Sequence, residues 1–295
     1  MSKKPGHIKR VFNKKYIPYL LVAPYVLHFL VFIAFPVIFS FVLTFHKWNI
    51  VSPMEYVGVD NYNRMFSDRL FWKALFNTFK FLIIHIPLQL VVALMLAEFL
   101  NQKIRFSGFF RAAFFLPVIV SGVVVTILWQ QLFGFDSGLI NRVLTQLNLG
   151  KVGWLIDPDM AMNSIAVMAT WKNVGLYIIL FLVGLQTVPA HYYEVADIEG
   201  ASHWQKFRWI TLPMINPTIF MVVILSTIGG FSLFIEPYIM TGGGPLNSTL
   251  SAVLYIYKQA FQYYHMGYSA TLGFFFALLI MLVIVIQKRY VERTD

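Results

Sequence analysis

Residues 164–188 read SIAVMATWKNVGLYIILFLVGLQTV, and residues 189–213 read PAHYYEVADIEGASHWQKFRWITLP. The first stretch is long enough to cross a bilayer core, which takes about 20 apolar residues in a helix, and it carries one charge, Lys172. The second carries Glu194, Asp197 and Glu199 within six residues, then Gly200, then Lys206 and Arg208. A membrane span joined to a short polar loop is the unit from which the rest of the chain is read.

Composition agrees with that unit. The 295 residues are 58% hydrophobic and 12% charged, with a mean hydropathy of +0.68, against roughly 25% charged in an ordinary soluble domain. Too few polar side chains exist to coat a water-soluble particle of this size. The 17% aromatic share, with 29 Phe, suits lipid-facing surfaces and interfacial belts. The formal charge of +10 is spread in short stretches between apolar runs, which fits topology and not a nucleic-acid face. The absence of cysteine excludes disulfides, thiolate metal sites and Cys nucleophiles.

Six apolar runs stand out: Tyr19 to Phe45, Trp72 to Leu100, Arg111 to Leu132, Ser164 to Val188, Pro213 to Met240 and Tyr268 to Gln287. The first is read as a retained span and not a cleaved signal, because it lacks a small-residue cleavage site with polar sequence after it. Kinks are expected at Pro24, Pro36, Pro87 and Pro117, and a weak point at Gly229–Gly230. The reading is an all-α polytopic membrane protein, with a basic segment over 1–18, a transmembrane domain over 19–290 and a tail over 291–295.

Positive residues are retained on the cytoplasmic side. With the amino terminus inside, the inner segments hold Lys3, Lys4, Lys9, Arg10, Lys14, Lys15, Lys103, Arg105, Arg111, Lys206, Arg208, Lys288, Arg289 and Arg293, fourteen of the 23 positive residues. Both ends and the 98–110 and 189–212 loops are then cytoplasmic. The connections over 46–71, 133–163 and 241–267 fall outside.

The 189–213 loop is expected to form two short helices. Glu194, Asp197 and Glu199 sit on the first, Gly200 permits a reversal, and Trp204 and Phe207 lie on one side of the second with Lys206 and Arg208 on another. An interfacial hairpin on lipid is one reading of it. Acids facing an anionic leaflet oppose that reading and favour a knob that docks on a soluble partner. The spacing of Glu194, Val195, Ala196, Gly200, Ile210, Leu212 and Pro213 resembles the EAA loop of ABC-importer permeases. Val195 departs from the usual second Ala, and Glu199 stands where Asp is common. FFLPVIVSGVVVTILWQQLFG, ATWKNVGLYIILFLVGLQTVPA and the TGGGP at 241–245 with NST at 247–249 are similar to the carbohydrate permeases of the maltose and glycerol-phosphate type.

That resemblance implies a type I importer fold with six transmembrane helices in a bacterial inner membrane. It implies a second permease, two ATP-binding subunits and an extracytoplasmic solute-binding protein as partners, besides the lipid bilayer and with no nucleic acid. Glu194, Ala196, Asp197, Glu199, Gly200, Ala201, Leu212 and Pro213 would couple to the ATPase. Asn173, Leu176, Phe231, Ser232 and Ile235 would line a sugar cavity, with Tyr177 and Glu236 beside them on the same two segments. The resemblance also places Ser232 and Ile235 where the maltose member has amides, so a different hydrogen-bonding pattern is implied. ATP and Mg would belong to the partner, and the chain itself needs no cofactor or metal: it lacks a G-x-x-x-x-G-K-[ST] loop, and Gly242–Gly244 read as a flexible turn.

Intramembrane charges are functional candidates by default. Lys172 and Glu236 form an ion pair inside the bundle in one reading; in the other they snorkel to headgroups. His85, Gln89, Gln130 and Gln131 are read as interhelical hydrogen-bonding groups, and His28 as packed or interfacial. An ion-coupled transporter would carry midplane acids and inverted repeats, and a membrane enzyme would need a Ser/His/Asp set, a metal-spaced cluster or paired carboxylates. Neither pattern is evident.

Overall fold

The computed structural model describes residues 17–102 and 105–291. The basic amino-terminal segment up to residue 16, residues 103–104 and the tail from 292 lie outside the described residues. Five helices among the described residues are long and apolar enough to cross a membrane, and a sixth span is made if one sharply bent helix pair is counted as one. The first, second, fourth and sixth spans occupy Pro18–Leu43, Arg69–Asn101, Pro158–Gln186 and Met266–Val291. These lie within a few residues of the expected runs, except that the fourth begins six residues earlier.

The third span departs from expectation. In place of one helix over Arg111–Leu132 there are two, Ser107–Ile119 and Gly122–Leu132, set at 98° to each other. The helix runs through Pro117 and stops at Val120 and Ser121, whose ψ values of 144° and 127° are extended. The fifth span is also interrupted. Its first part, Asn216–Phe231, ends one residue past Gly230, and Ile235–Met240 comes after a three-residue break.

The chain divides into two compact units, 1–66 with 259–274, and 67–258 with 275–295. In the smaller unit the first span passes through a π-helical turn at Leu30–Ala34, and His28, in its amino-terminal half, is exposed. A two-residue antiparallel ladder pairs His46–Lys47 with Glu55–Tyr56. Asn61 closes this region by donating to the carbonyls of Thr44 and His46 at 2.9 and 3.0 Å, and Thr271 donates to Thr44 O at 3.3 Å. Arg64 lies over the Tyr268 ring at 4.0 Å. Burial, then the charges of Arg64 and Lys47, hold the His265 pKa below its ordinary value, so its ring is neutral at neutral pH.

In the larger unit the second and fourth spans form the main packing contact. Small residues on the second span, Ala93 and Ala97, are fully buried in a cluster with Val174, Ile178 and Phe181 of the fourth, which allows close backbone approach where lipid supplies no hydrophobic drive. Polar side chains fix the register. His85 Nδ1 lies 2.8 Å from Thr170 Oγ1, and Ser226 Oγ donates to Gln89 Oε1 at 2.5 Å. Gln130 donates to the carbonyls of Ile239 and Met240 at 3.0 and 3.2 Å, tying the second half of the third span to the second half of the fifth. These are the interhelical roles expected of His85, Gln89 and Gln130. The 241–249 turn is not loose: Thr249 Oγ1 is 2.7 Å from Thr241 Oγ1 and donates to Gly244 O at 2.7 Å, and Asn77 donates to Asn247 O at 2.8 Å.

Gly175 rests directly on the Phe114 carbonyl, so a Cβ there would collide with backbone. Gly273 has open space around its Cβ position. Gly175→Ala is expected to lower stability by about 1–3 kcal/mol, the usual range for overpacking. Gly273→Ala is expected to leave it unchanged or slightly raised, since Ala is the better helix former. Equilibrium denaturation of the two purified variants in detergent checks the contrast.

Candidate functional site

Lys172 is the midpoint of its helix, fourteen residues from Pro158 and fourteen from Gln186, or about 21 Å from either end at 1.5 Å per residue. That depth is beyond a snorkelling lysine. Its Nζ instead lies 3.2 Å from Glu236 Oε1, with side-chain exposures of 14% and 11%. Glu236 is the second residue of the half-helix beyond the break in the fifth span. Gly122, first residue of the half-helix after the break in the third span, lies beside the same ammonium, and a Cβ there would stand 2.8 Å from Lys172 Nζ. One ion pair therefore sits where both broken spans restart.

Beneath the pair is a cavity of about 240 Å³. Its polar wall is formed by Lys172, Asn173, Tyr177, His85, Ser226, Ser232 and Glu236, and its apolar wall includes Phe81, Leu233 and Ile235. Gly229 and Gly230 also line it, where the missing side chains leave backbone open to the space. Asn173 Nδ2 donates to Ala169 O at 2.9 Å and Ser232 Oγ to Ile228 O at 3.1 Å, so both present an oxygen acceptor to the cavity side.

Of the residues expected to line a sugar cavity, Asn173, Tyr177, Ser232, Ile235 and Glu236 meet here. Two do not. Phe231 is 1% exposed and packs its ring against Phe79 and Phe276 at 5.7 and 5.6 Å. Phe231 and Ile235, four residues apart, would share a face only on a continuous helix, and the break at 232–234 resets the helical phase. Leu176 is 39% exposed and absent from the cavity wall; of the two neighbours of Asn173 on its helix, the one at i+4 lines the cavity and the one at i+3 turns away. Lys172, His85, Ser226 and Phe81 were not among the expected cavity residues. Polar residues isolated in apolar runs were the available signal for the first three, and nothing in the sequence marks Phe81.

The polar loop forms a second feature. Its first helix, Ala190–Ile198, ends in a Schellman arrangement: Gly200 takes φ +74°, its N–H reaches Asp197 O at 3.1 Å and the Ala201 N–H reaches Ala196 O at 2.9 Å. Ser202 and Gln205 then form a capping box for the second helix, His203–Lys206, which continues as a π turn to Thr211 and a last turn at Leu212–Met214. Lys206 bridges back to Asp197 at 2.5 Å and Tyr193 Oη lies 2.9 Å from Thr211 Oγ1, so the two short helices are fastened together. Glu194, Asp197, Glu199, Gly200 and Pro213 are exposed, Ala201 and Leu212 half-buried, and Ala196 buried as the small residue that seats the knob. Val195 and Ile198 project beside the acids with 52% and 87% exposure. No group of three or more His, Cys, Asp or Glu able to hold a metal occurs among the described residues.

Comparison with known proteins gives this arrangement its family. Residues 89–295, which contain the cavity's fourth- and fifth-span walls and the loop, match the family described as binding-protein-dependent transport system inner membrane component. The arabinooligosaccharides transport system permease protein AraP of Bacillus subtilis is 35% identical over 98% of this chain and 92% of its own length. The lactose transport system permease protein LacF of Rhizobium radiobacter is 36% identical over 91% of this chain and 92% of its own. The trehalose/maltose transport system permease protein MalF of Thermococcus litoralis is 34% identical over 84% and 83%. A chain of a bacterial ABC transporter involved in the import of alginate superposes with a TM-score of 0.78 at 22% identity, covering 97% of this chain and 98% of that one, which establishes the type I importer fold. A membrane helix bundle with this loop, matched over this length, belongs to the binding-protein-dependent transport system inner membrane component family, the permease subunits of ABC transporters.

Proposed function

We propose that this chain forms half of the transmembrane pathway of an ATP-driven importer for a sugar of di- or oligosaccharide size, delivered by an external binding protein. The observation that carries the proposal is the cavity, where residues from the second, fourth and fifth spans meet beside two helix breaks. Hydroxyl, amide and carboxylate oxygens beside an aromatic ring suit a polyhydroxylated ligand. The names of the relatives point to saccharides. At about 240 Å³ the cavity is smaller than the roughly 300–1,000 Å³ typical of ligand sites, which supports a second permease supplying the opposite wall.

The loop is the contact with the ATP-binding subunits, which hold ATP and Mg. Two exposed apolar side chains ringed by Glu194, Asp197 and Glu199, on a helix fastened at its end by Gly200, make a rigid knob suited to insertion in a cleft. Closure of the ATPases would move the knob, and the fastened second helix would carry that motion into the fifth span, which starts two residues after it. Alternating access is then a two-state equilibrium biased by ATP on one side and the loaded binding protein on the other. In this reading the amino and carboxyl termini face the cytoplasm.

Variants of the ion pair and of the loop test the two halves of this reading. Lys172→Gln or Glu236→Gln leaves a buried charge unpaired, at about 3–5 kcal/mol, and is expected to abolish uptake, while the exchanged pair K172E/E236K restores a measurable part. Uptake of labelled arabino- and gluco-oligosaccharides into cells carrying each variant checks this; undiminished uptake by both single variants would remove the cavity from the pathway. Glu194→Lys combined with Glu199→Lys is expected to release the ATP-binding subunit on affinity purification while the permease pair stays together. Gly200→Val, which places a β-branched residue at a positive φ costing about 1–3 kcal/mol, is expected to cut transport-coupled ATP hydrolysis in proteoliposomes with membrane insertion intact.

A further inference from the structure

At the end of the second span that adjoins the polar loop, a groove of about 950 Å³ runs between that helix and the second loop helix. Along the span its wall is Val91, Leu94, Met95, Glu98, Phe99 and Gln102; these recur three or four residues apart, so they form one stripe down the helix. The facing wall is His203, Trp204, Phe207 and Leu212. The stripe is about 16 Å long at 1.5 Å per residue and changes character along its length. It is apolar from Val91 to Met95, acidic at Glu98 with the Phe99 ring beside it, and polar at Gln102, with His203 on the facing wall.

Glu98 is the feature without a use. Its Oε2 is buried and has no hydrogen-bond partner, and Glu98 takes part in no salt bridge among the described residues. Lys206, on the second loop helix, is engaged by Asp197. Glu98 as a whole is half-buried, and a carboxylate oxygen shut from water without a partner carries a cost that falls when a cationic donor reaches it. The residue stands three positions before the end of its helix at Asn101, so it belongs to the terminal turn of the span and not to its middle. Trp204, 67% exposed, lines the same groove, and tryptophan is the side chain that favours a membrane interface.

We infer that this groove is a binding site for a zwitterionic aminophospholipid, with an acyl chain along Val91, Leu94 and Met95 and the primary ammonium on Glu98. The order apolar, anionic, polar along the groove is the order of acyl chain, ammonium and water in such a lipid. A helix from a second permease subunit would require an apolar wall along its whole length and a base placed against Glu98. An anionic lipid is opposed by the carboxylate. Because Phe207 and Leu212 belong to the loop segment, an occupied groove braces that segment against the second span.

The test uses the assembled transporter, reconstituted into vesicles of phosphatidylethanolamine and phosphatidylglycerol in equal parts, extracted gently and weighed by native mass spectrometry. The wild type is expected to retain phosphatidylethanolamine in preference to phosphatidylglycerol, and Glu98→Gln to lose that preference by about ten- to hundredfold, the worth of a charge-assisted hydrogen bond. Glu98→Asp, which keeps the charge, is expected to retain it in part. Equal retention of the two lipids by the wild type overturns the proposal without reference to any variant, as does unchanged preference in an assembled Glu98→Gln transporter. The chain has no cysteine of its own, so Met95→Cys carries a single photo-crosslinker; crosslinking to the second permease instead of to lipid identifies the competing occupant and also overturns it.

Discussion

An ammonium in the middle of a membrane helix has to be answered by a counter-charge, and in this protein the answer organises the bundle around it. Lys172 cannot reach water along its own helix, so Glu236 must come to it, and Glu236 comes on a half-helix of six residues. That half-helix exists because the fifth span stops at Phe231. The third span breaks so that Gly122, with no side chain, can lie against the same ammonium, and Gln130 then bonds the two displaced half-helices to each other. The cavity lies at the same place, since Lys172, Glu236 and both sides of the break in the fifth span line it.

The spans were legible because a bilayer imposes a length and a polarity that few soluble segments meet. The breaks were not, for a reason that lies outside the local sequence. Proline was the apparent kink signal, yet the helix passes Pro117 and fails at Val120–Ser121, where no residue type forbids a helix. The determinant is tertiary: a glycine must meet Lys172 from another span. Gly229–Gly230 was the better indicator, with the helix ending one residue later. The same limit explains Phe231 and Leu176. Face-sharing by i, i+3 and i+4 spacing holds within one unbroken helix, and it pairs Asn173 with Tyr177; it cannot say which of two neighbours turns to the cavity, nor carry phase across a break.

The polar loop is the opposite case, in which local chemistry decides nearly everything. Gly200 supplies the positive φ of a Schellman ending, Ser202 and Gln205 cap the second short helix, and both devices span only a few residues that a sequence records directly. Only the Lys206–Asp197 bridge and the Tyr193–Thr211 contact needed the structure. These convert two short helices, neither long enough to be stable alone, into one body that ends against the fifth span. The coupling proposed for this segment requires that stiffness, because a hinge within it would absorb the displacement.

Irregular backbone is expensive at membrane depth, because peptide groups released from a helix find no water in lipid. Some of that cost is met locally: Ser251 donates to Leu233 O at 2.6 Å within the second break, and the Val125 N–H reaches Ser121 O at 3.1 Å at the first. The rest is met where a broken span borders a polar space, and Ser232 and Leu233 do border the cavity. None of this depends on the relatives. Two interrupted spans, a buried ion pair at both restarts and a space lined by oxygen acceptors coincide at one place, and among folds that cross a bilayer such a coincidence is tolerated where something polar passes. The likeness to transport permeases covers the stretch of chain that holds the fourth- and fifth-span walls of the cavity, and the energetics of broken helices is a separate argument for the same region.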